Sequence, residues 1–225
     1  MTSRLIAGLS VVVALVHCSP AVEPGSVSEP RTTGKAIRLF NGKNLDDWEY
    51  RSEDKSTPLQ NVWSVKNGVL VCTGEPTGYI FTARHDFENY LLNVEWRWPG
   101  KGGNSGVFVH YSEEVGASPK ALEVQLASGD AGDFWAGDGV DLDVENEDAR
   151  KSGPRYKNLT DRSEKPLGEW NAMQVICRGD EVIVKINGEL VNHATRCTER
   201  KGPIALQSEG TPIEFRNVEL RKLAE

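Results

Sequence analysis

Two short segments hold the residues best suited to chemistry. Leu122-Glu123-Val124-Gln125-Leu126 and Ile204-Ala205-Leu206-Gln207-Ser208-Glu209 each set a carboxylate and a carboxamide two positions apart. Side chains of an extended strand alternate between the two faces of its sheet. Leu122, Val124 and Leu126 then share one face, and Glu123 and Gln125 the other. Gln207 and Glu209 turn away from Leu206 in the same manner. Two such pairs line an open sheet face with hydrogen-bond donors and acceptors, which suits a polyhydroxylated ligand. Two solvated strand faces would read the same way.

Other residues extend this candidate face. The glycine-dense Gly102-Gly103-Asn104-Ser105-Gly106 leads into the strand pattern Val107–Tyr111, where Phe108 and His110 share a face. Asn104 and His110 are therefore candidate ligand contacts, although a lone histidine on a strand is commonly structural. The glycine run has no Gly-Lys-Ser/Thr ending and no following helix, so it is not a phosphate-binding loop. Trp96 and Trp98, at period two, fit core packing better than sugar stacking. Trp135, in the polar loop Gly132-Asp133-Phe134-Trp135-Ala136-Gly137, is the better ligand contact. Arg216 can pair with a carboxylate in the site or with a surface acid. Asp141, Asp143 and Glu145 lie at i, i+2 and i+4 and would share one face of a strand. That is similar to the Glu-x-Asp-x-x-Glu strand of retaining laminarinase-like glucanases, whose double displacement needs carboxyls about 5 Å apart. Here the first position is Asp, and a solvated acidic edge or a calcium site are the other readings. No Gly-x-Ser-x-Gly is present to support a serine hydrolase.

The elements that must position these residues are short strands. Patterns recur at Trp63–Val65, Val69–Thr73, Tyr79–Thr82, Tyr90–Trp98, Ser105–Tyr111, Leu122–Leu126, Asn171–Arg178, Glu181–Ile186, Glu189–His193, Ile204–Gln207 and Ile213–Leu220. Asn67-Gly68 and Asn187-Gly188 are strong hairpin turns, because both central positions tolerate positive φ. No long helical period appears. Many short strands with tight turns predict an all-β antiparallel sandwich or barrel. Residues 131–164 are the least regular and read as long loops over one end, with room for one strand.

The chain of 225 residues suits one sizeable domain. Its net charge of −7 argues against a nucleic-acid surface. Arg4, the apolar run Leu5–Val16 and the small residues Ser19-Pro20-Ala21 predict a signal peptide over residues 1–21. Export to the periplasm or medium follows. Cys18 is a less favoured lipidation site, since the preceding His17 fits that signal poorly. No other segment is apolar enough to span a bilayer as a helix. Residues 22–35, rich in Pro, Ser, Gly and Thr, read as a flexible linker before a domain over 36–225. Export permits disulfides, and the separation of Cys177 and Cys197 across one hairpin unit suits a bridge. Cys72, in Gly68-Val69-Leu70-Val71-Cys72, reads as a buried strand residue.

A series of motifs resembles the 3-keto-disaccharide hydrolase domain family. They are Leu39-Phe40-Asn41-Gly42-Lys43-Asn44-Leu45-Asp46-Asp47-Trp48, Trp63-x-Val65-x-Asn67-Gly68-Val69-Leu70, Gly103-Asn104-Ser105-Gly106-Val107-Phe108, Glu123-Val124-Gln125, Gly168-Glu169-Trp170-Asn171, Asn187-Gly188, Gly202-Pro203-Ile204-Ala205-Leu206-Gln207-x-x-Gly210 and Pro212-Ile213-Glu214-Phe215-Arg216-Asn217-Val218. The resemblance spans about residues 36–223 in order. It implies a concanavalin A-like jelly-roll sandwich of two antiparallel sheets, in an exported bacterial protein. It also implies glycosides already oxidised at C3 as substrates, supplied by an upstream sugar 3-dehydrogenase. A C3 ketone acidifies the C2 hydrogen, so a base can remove it, the C1 substituent can leave by β-elimination, and water can add back. On this reading Glu123 is the expected base and Glu209 the expected acid. Asn104, Gln125, Gln207 and Arg216 would orient the sugar or stabilise the oxyanion. Many family members carry a basic residue after the Gly-Val-Phe strand and Asp-His after Leu-Gln, where this chain has His110 and Ser208-Glu209. No cofactor is expected; a divalent metal on His110, Glu123 and Glu209 is chemically admissible without being demanded by spacing. A non-catalytic carbohydrate-binding module on the same sandwich is the alternative.

Overall fold

The computed structural model describes residues 29–115, 118–137, 139–160 and 162–224. The expected signal peptide, Cys18 and most of the expected linker lie outside the described residues.

Alternation of apolar and polar residues produces seventeen strands and two single-turn helices in the described chain. The first group is β1 (Thr32–Arg38), β2 (Trp48–Ser52), α1 (Leu59–Val62), β3 (Trp63–Lys66), β4 (Val69–Cys72), β5 (Gly78–Thr82) and β6 (Tyr90–Arg97). The central group is β7 (Gly106–Val115), β8 (Ser118–Gln125), β9 (Phe134–Ala136), β10 (Asp143–Val144), α2 (Glu147–Arg150), β11 (Lys151–Ser152) and β12 (Arg155–Tyr156). The last is β13 (Asn171–Arg178), β14 (Glu181–Ile186), β15 (Glu189–Thr195), β16 (Ala205–Ser208) and β17 (Ile213–Leu223). The turn residues behave as their chemistry requires: Asn67 and Gly68 take φ of 52° and 79°, and Asn187 and Gly188 take 51° and 86°.

The strands form two antiparallel sheets. One runs β10-β15-β14-β13-β6-β17-β4-β3, with β1 pairing β17; the other runs β11-β12-β9-β8-β7-β16-β5-β2. Their facing sides enclose one main core that includes Trp63, Trp96, Trp98, Leu92, Leu122, Val124, Phe134, Leu206 and Phe215. The molecule is a jelly-roll β-sandwich. Trp96 and Trp98 are core residues, as period two favoured. Among the described residues, no helix is long and apolar enough to cross a membrane.

Three expectations need correction. The expected linker (22–35) overlaps β1: Thr32 pairs with Leu223 and Thr33 with Lys222, so β-branched residues extend the sheet beside the long β17. Cys177 and Cys197 are both buried free thiols rather than a bridge; the Cys177 sulfur is engaged by the side chain of Tyr90, its register partner on β6. The expected single strand between 131 and 164 is four short ones, β9 to β12, tied down by backbone and ion-pair contacts.

Candidate active site

The outer face of the eight-stranded sheet gathers most of the candidate residues. Strand register places Phe81, Ala205, Phe108, Glu123, Trp135 and Arg155 in one row across β5, β16, β7, β8, β9 and β12. In the neighbouring row Tyr79 pairs with Gln207, and Gly106 pairs with Gln125. An isolated bridge sets Asn104 opposite Glu209. Glu123, Gln207, Glu209, Asn104 and Trp135 are thus brought to one face; alternation predicts this only within each strand, and Trp135, expected in a loop, comes from β9. Beside them Tyr79, Phe81, Phe108, Tyr111, Ala121 and Ala205 form a second, smaller apolar cluster on this face.

Local structure explains each placement. Gly103 lies against Thr211, and a Cβ there would overlap that side chain. The close approach brings Asn104 to Glu209. The Ser105 hydroxyl donates to the Gln207 carbonyl at 2.8 Å and closes the same junction. Gly106 has the opposite relation to its neighbour: a Cβ at this position would lie 2.7 Å from Glu123 Cδ, inside the carboxyl group. The missing side chain is therefore what lets Glu123 fold down onto the sheet. Trp135 is held by Arg155, which pairs across strands with it and donates to buried Asp133 at 2.5 Å and to Asp130 at 3.0 Å.

The electrostatics single out Glu123. Burial, with Glu209 adding repulsion, pushes its carboxyl up to about 8. Its Oε1 is buried and makes no hydrogen bond. Glu209 is also raised, chiefly by half-burial, while donors on the Asn104 and Gln207 side chains act in the opposite sense. The amide oxygens Asn104 Oδ1 and Gln207 Oε1 and the indole Nε1 of Trp135 are, like Glu123 Oε1, buried without partners. Buried polar atoms normally find partners, so this concentration on one face marks a ligand site. Gln125 is different: its Oε1 accepts from the Leu126 and Ala127 N–H groups at 2.9 and 3.1 Å and closes the strand end.

Two expected site residues lie elsewhere. His110 takes φ of 55° at a register break in β7, so the alternation slips and Tyr111, not His110, joins Phe108 in the aromatic cluster. His110 is buried near Glu199; burial pushes its imidazole down to about 4, with Glu199 opposing. The metal set His110, Glu123 and Glu209 is not assembled, and no three His, Cys, Asp or Glu side chains converge for a metal among the described residues. Arg216 belongs to the nine-stranded sheet. Phe215 takes the core face, so Arg216 points outward, donating to Glu95 at 2.7 Å and lying 4.1 Å over the Trp170 ring. The sandwich core separates it from Glu123. The acidic run does not form a glucanase strand either. Only Asp143–Val144 is extended, at the edge of the other sheet, and Asp143 pairs with Arg196.

A groove of about 670 Å³ lies on the outer face of the nine-stranded sheet. Several of its polar side chains are paired: Gln174 donates to Asn93, and Asn217, together with Arg216, donates to Glu95. The unpaired atoms favour the face carrying Glu123 over this groove. Sequence reasoning missed the role of Gly106 and the aromatic cluster. Gly106 stands within a glycine run whose sequence shows only an entry into the strand Val107–Tyr111. The pair Tyr79 and Phe81 showed period two but not which face was the core.

Residues 35–221 match the model of the 3-keto-alpha-glucoside-1,2-lyase-like domain. The chain belongs to this family. No curated protein sequence matches it. Among solved structures, this chain is similar to a candidate glycosyl hydrolase of Parabacteroides distasonis ATCC 8503. Identity is 25%, TM-score 0.62, and coverage 84% of this chain and 100% of that one. A second candidate glycosyl hydrolase of the same organism is 24% identical, with TM-score 0.60 and coverage of 83% and 93%. The carbohydrate-binding module CBM66 of Bacillus subtilis, 11% identical, shares the fold at TM-score 0.55, with coverage of 80% and 98%. Family membership gives the chain a carbohydrate-related function.

Proposed function

We propose that this domain cleaves glycosides oxidised at C3 of the sugar, by elimination across C1–C2 followed by hydration. The observation that carries the reading is the Glu123–Glu209 pair, two coupled carboxyls on a face whose other polar atoms await partners. The family description and the likeness to candidate glycosyl hydrolases support it.

The protonation order exchanges the roles expected from sequence. With its carboxyl raised to about 8, Glu123 carries a proton at neutral pH and suits the general acid. Glu209, held by two amide donors, suits the base. Glu209 takes the C2 proton, which the C3 ketone acidifies. The electron pair forms the C1–C2 double bond, the C1–O bond breaks, and the departing oxygen takes the Glu123 proton. Water then returns hydroxyl to C1 and a proton to C2. Asn104, Gln207 and Trp135 orient the sugar. An oxidoreductase acting on the C3 hydroxyl must supply the substrate, and export places the reaction outside the cytoplasm.

The test is incubation with a 3-keto-glucoside and with its unoxidised parent. Aglycone should leave the keto form only, and Glu123→Gln should lower turnover by about 10²-fold or more. Sugar binding without turnover across a panel of keto-glycosides would instead identify a binding module.

A further inference from the structure

We propose that Glu123, Asn104 and Gln207 are oxygen ligands of a hard divalent cation bound beside Glu209 on the outer face of the eight-stranded sheet. Three buried acceptors on this face have no donor: Glu123 Oε1, Asn104 Oδ1 and Gln207 Oε1. The two amides cannot simply rotate to relieve this. Their NH₂ groups serve Glu209, so their carbonyl oxygens are left as acceptors. The three side chains belong to the strand segments around Gly106. Glu123 leans over Gly106, and Asn104 lies two residues before that glycine. Gln207 flanks it from β16, one step beyond the register pair Leu206–Val107.

Charge points the same way. The charged groups that act on the two carboxyls are acidic, Glu209 on Glu123 and Glu53 on Glu209. Buried charges of one sign normally find a counter-charge. The donor set is all oxygen, one carboxylate and two neutral amides. That composition excludes a soft-metal preference and suits Ca²⁺, which accepts amide carbonyls and fills remaining positions with water. The cation would occupy the place that the Glu123 proton otherwise takes and would offer the same electrophilic help to the sugar oxygens. The inference rests on the geometry and not on the proposed reaction.

The experiment is calorimetric titration of chelator-treated full-length protein with CaCl₂, MgCl₂ and MnCl₂ separately, paired with terbium(III) luminescence excited through tryptophan. Trp135 is the register neighbour of Glu123 and should sensitise the ion. One Ca²⁺ site is expected, in the millimolar range or tighter. Glu123→Gln should weaken it by about tenfold or more, and Asn104→Ala should weaken it as well. Ca²⁺ should displace terbium emission; Trp135→Phe should dim that emission while leaving the calcium heat intact. Absence of binding by all three ions, or unchanged binding in Asn104→Ala, would overturn the proposal. Cleavage of keto-glycosides that survives chelation without any ion binding would sink this inference and spare the proposed reaction. Ion binding without cleavage would do the reverse.

Discussion

At the scale of single residues, the site is held by what is absent as much as by what is present. Gly106 leaves the volume that the Glu123 carboxyl fills. Gly106→Ala should therefore push Glu123 off its position, lowering turnover by about 10²-fold with the fold kept, read by kinetics beside circular dichroism. Glu123 itself weakens the native state. Its carboxyl rises from an ordinary 4.5 to about 8 on folding, so the folded chain binds the proton more tightly than the unfolded one. Stability from this group is complete below about 4.5 and is lost as pH climbs through about 8. In chelator, Glu123→Gln should match the wild-type Tm near the lower value and exceed it increasingly towards the upper; a constant difference would refute the assignment. The carboxylate–amide pairs were legible from spacing alone, because strand alternation needs no tertiary information. The raised pKa was not legible, because burial depends on what lies over the strand.

At the scale of elements, one irregularity and one sheet assignment separate the expected site from the observed one. His110 and Phe108 are two residues apart and should share a face, yet the register break after Val109 moves Tyr111 into that place. A bulge inserts a residue without any strong sequence signal, so His110 could not be removed from the site by pattern reading. Arg216 alternates with Phe215 as expected, but the sheet to which β17 belongs is a pairing decision made by distant segments. Its partners are Glu95 and Trp170, both on the far side of the molecule from Glu123. Arg216→Ala should leave keto-glycoside turnover unchanged and cost at most about 1 kcal/mol by urea unfolding, since the pair is partly exposed. A large loss of turnover would return Arg216 to the site.

At the scale of the whole molecule, two twisted sheets share one core, and the functional face is the outside of one of them. Trp96 is fully buried in that core. Trp96→Ala should cost about 3–5 kcal/mol of stability, measured by denaturant unfolding, through the cavity it leaves. The strands, their hairpin turns and the all-β class were determined by the sequence itself, because period-two burial and Asn-Gly turn chemistry are local. The carboxylate pairs on one face followed from the same alternation. Tertiary structure alone decided which outer face carries the site, since both sheets present polar residues outward and only strand order brings β8 beside β7 and β16 near them. It also decided that Cys177 and Cys197 are unbridged, that β1 joins the sheet, and that the buried atoms of Glu123, Asn104 and Gln207 stand unpaired on one face. Burial and partner choice are properties of contacts between distant segments, and no local pattern encodes them.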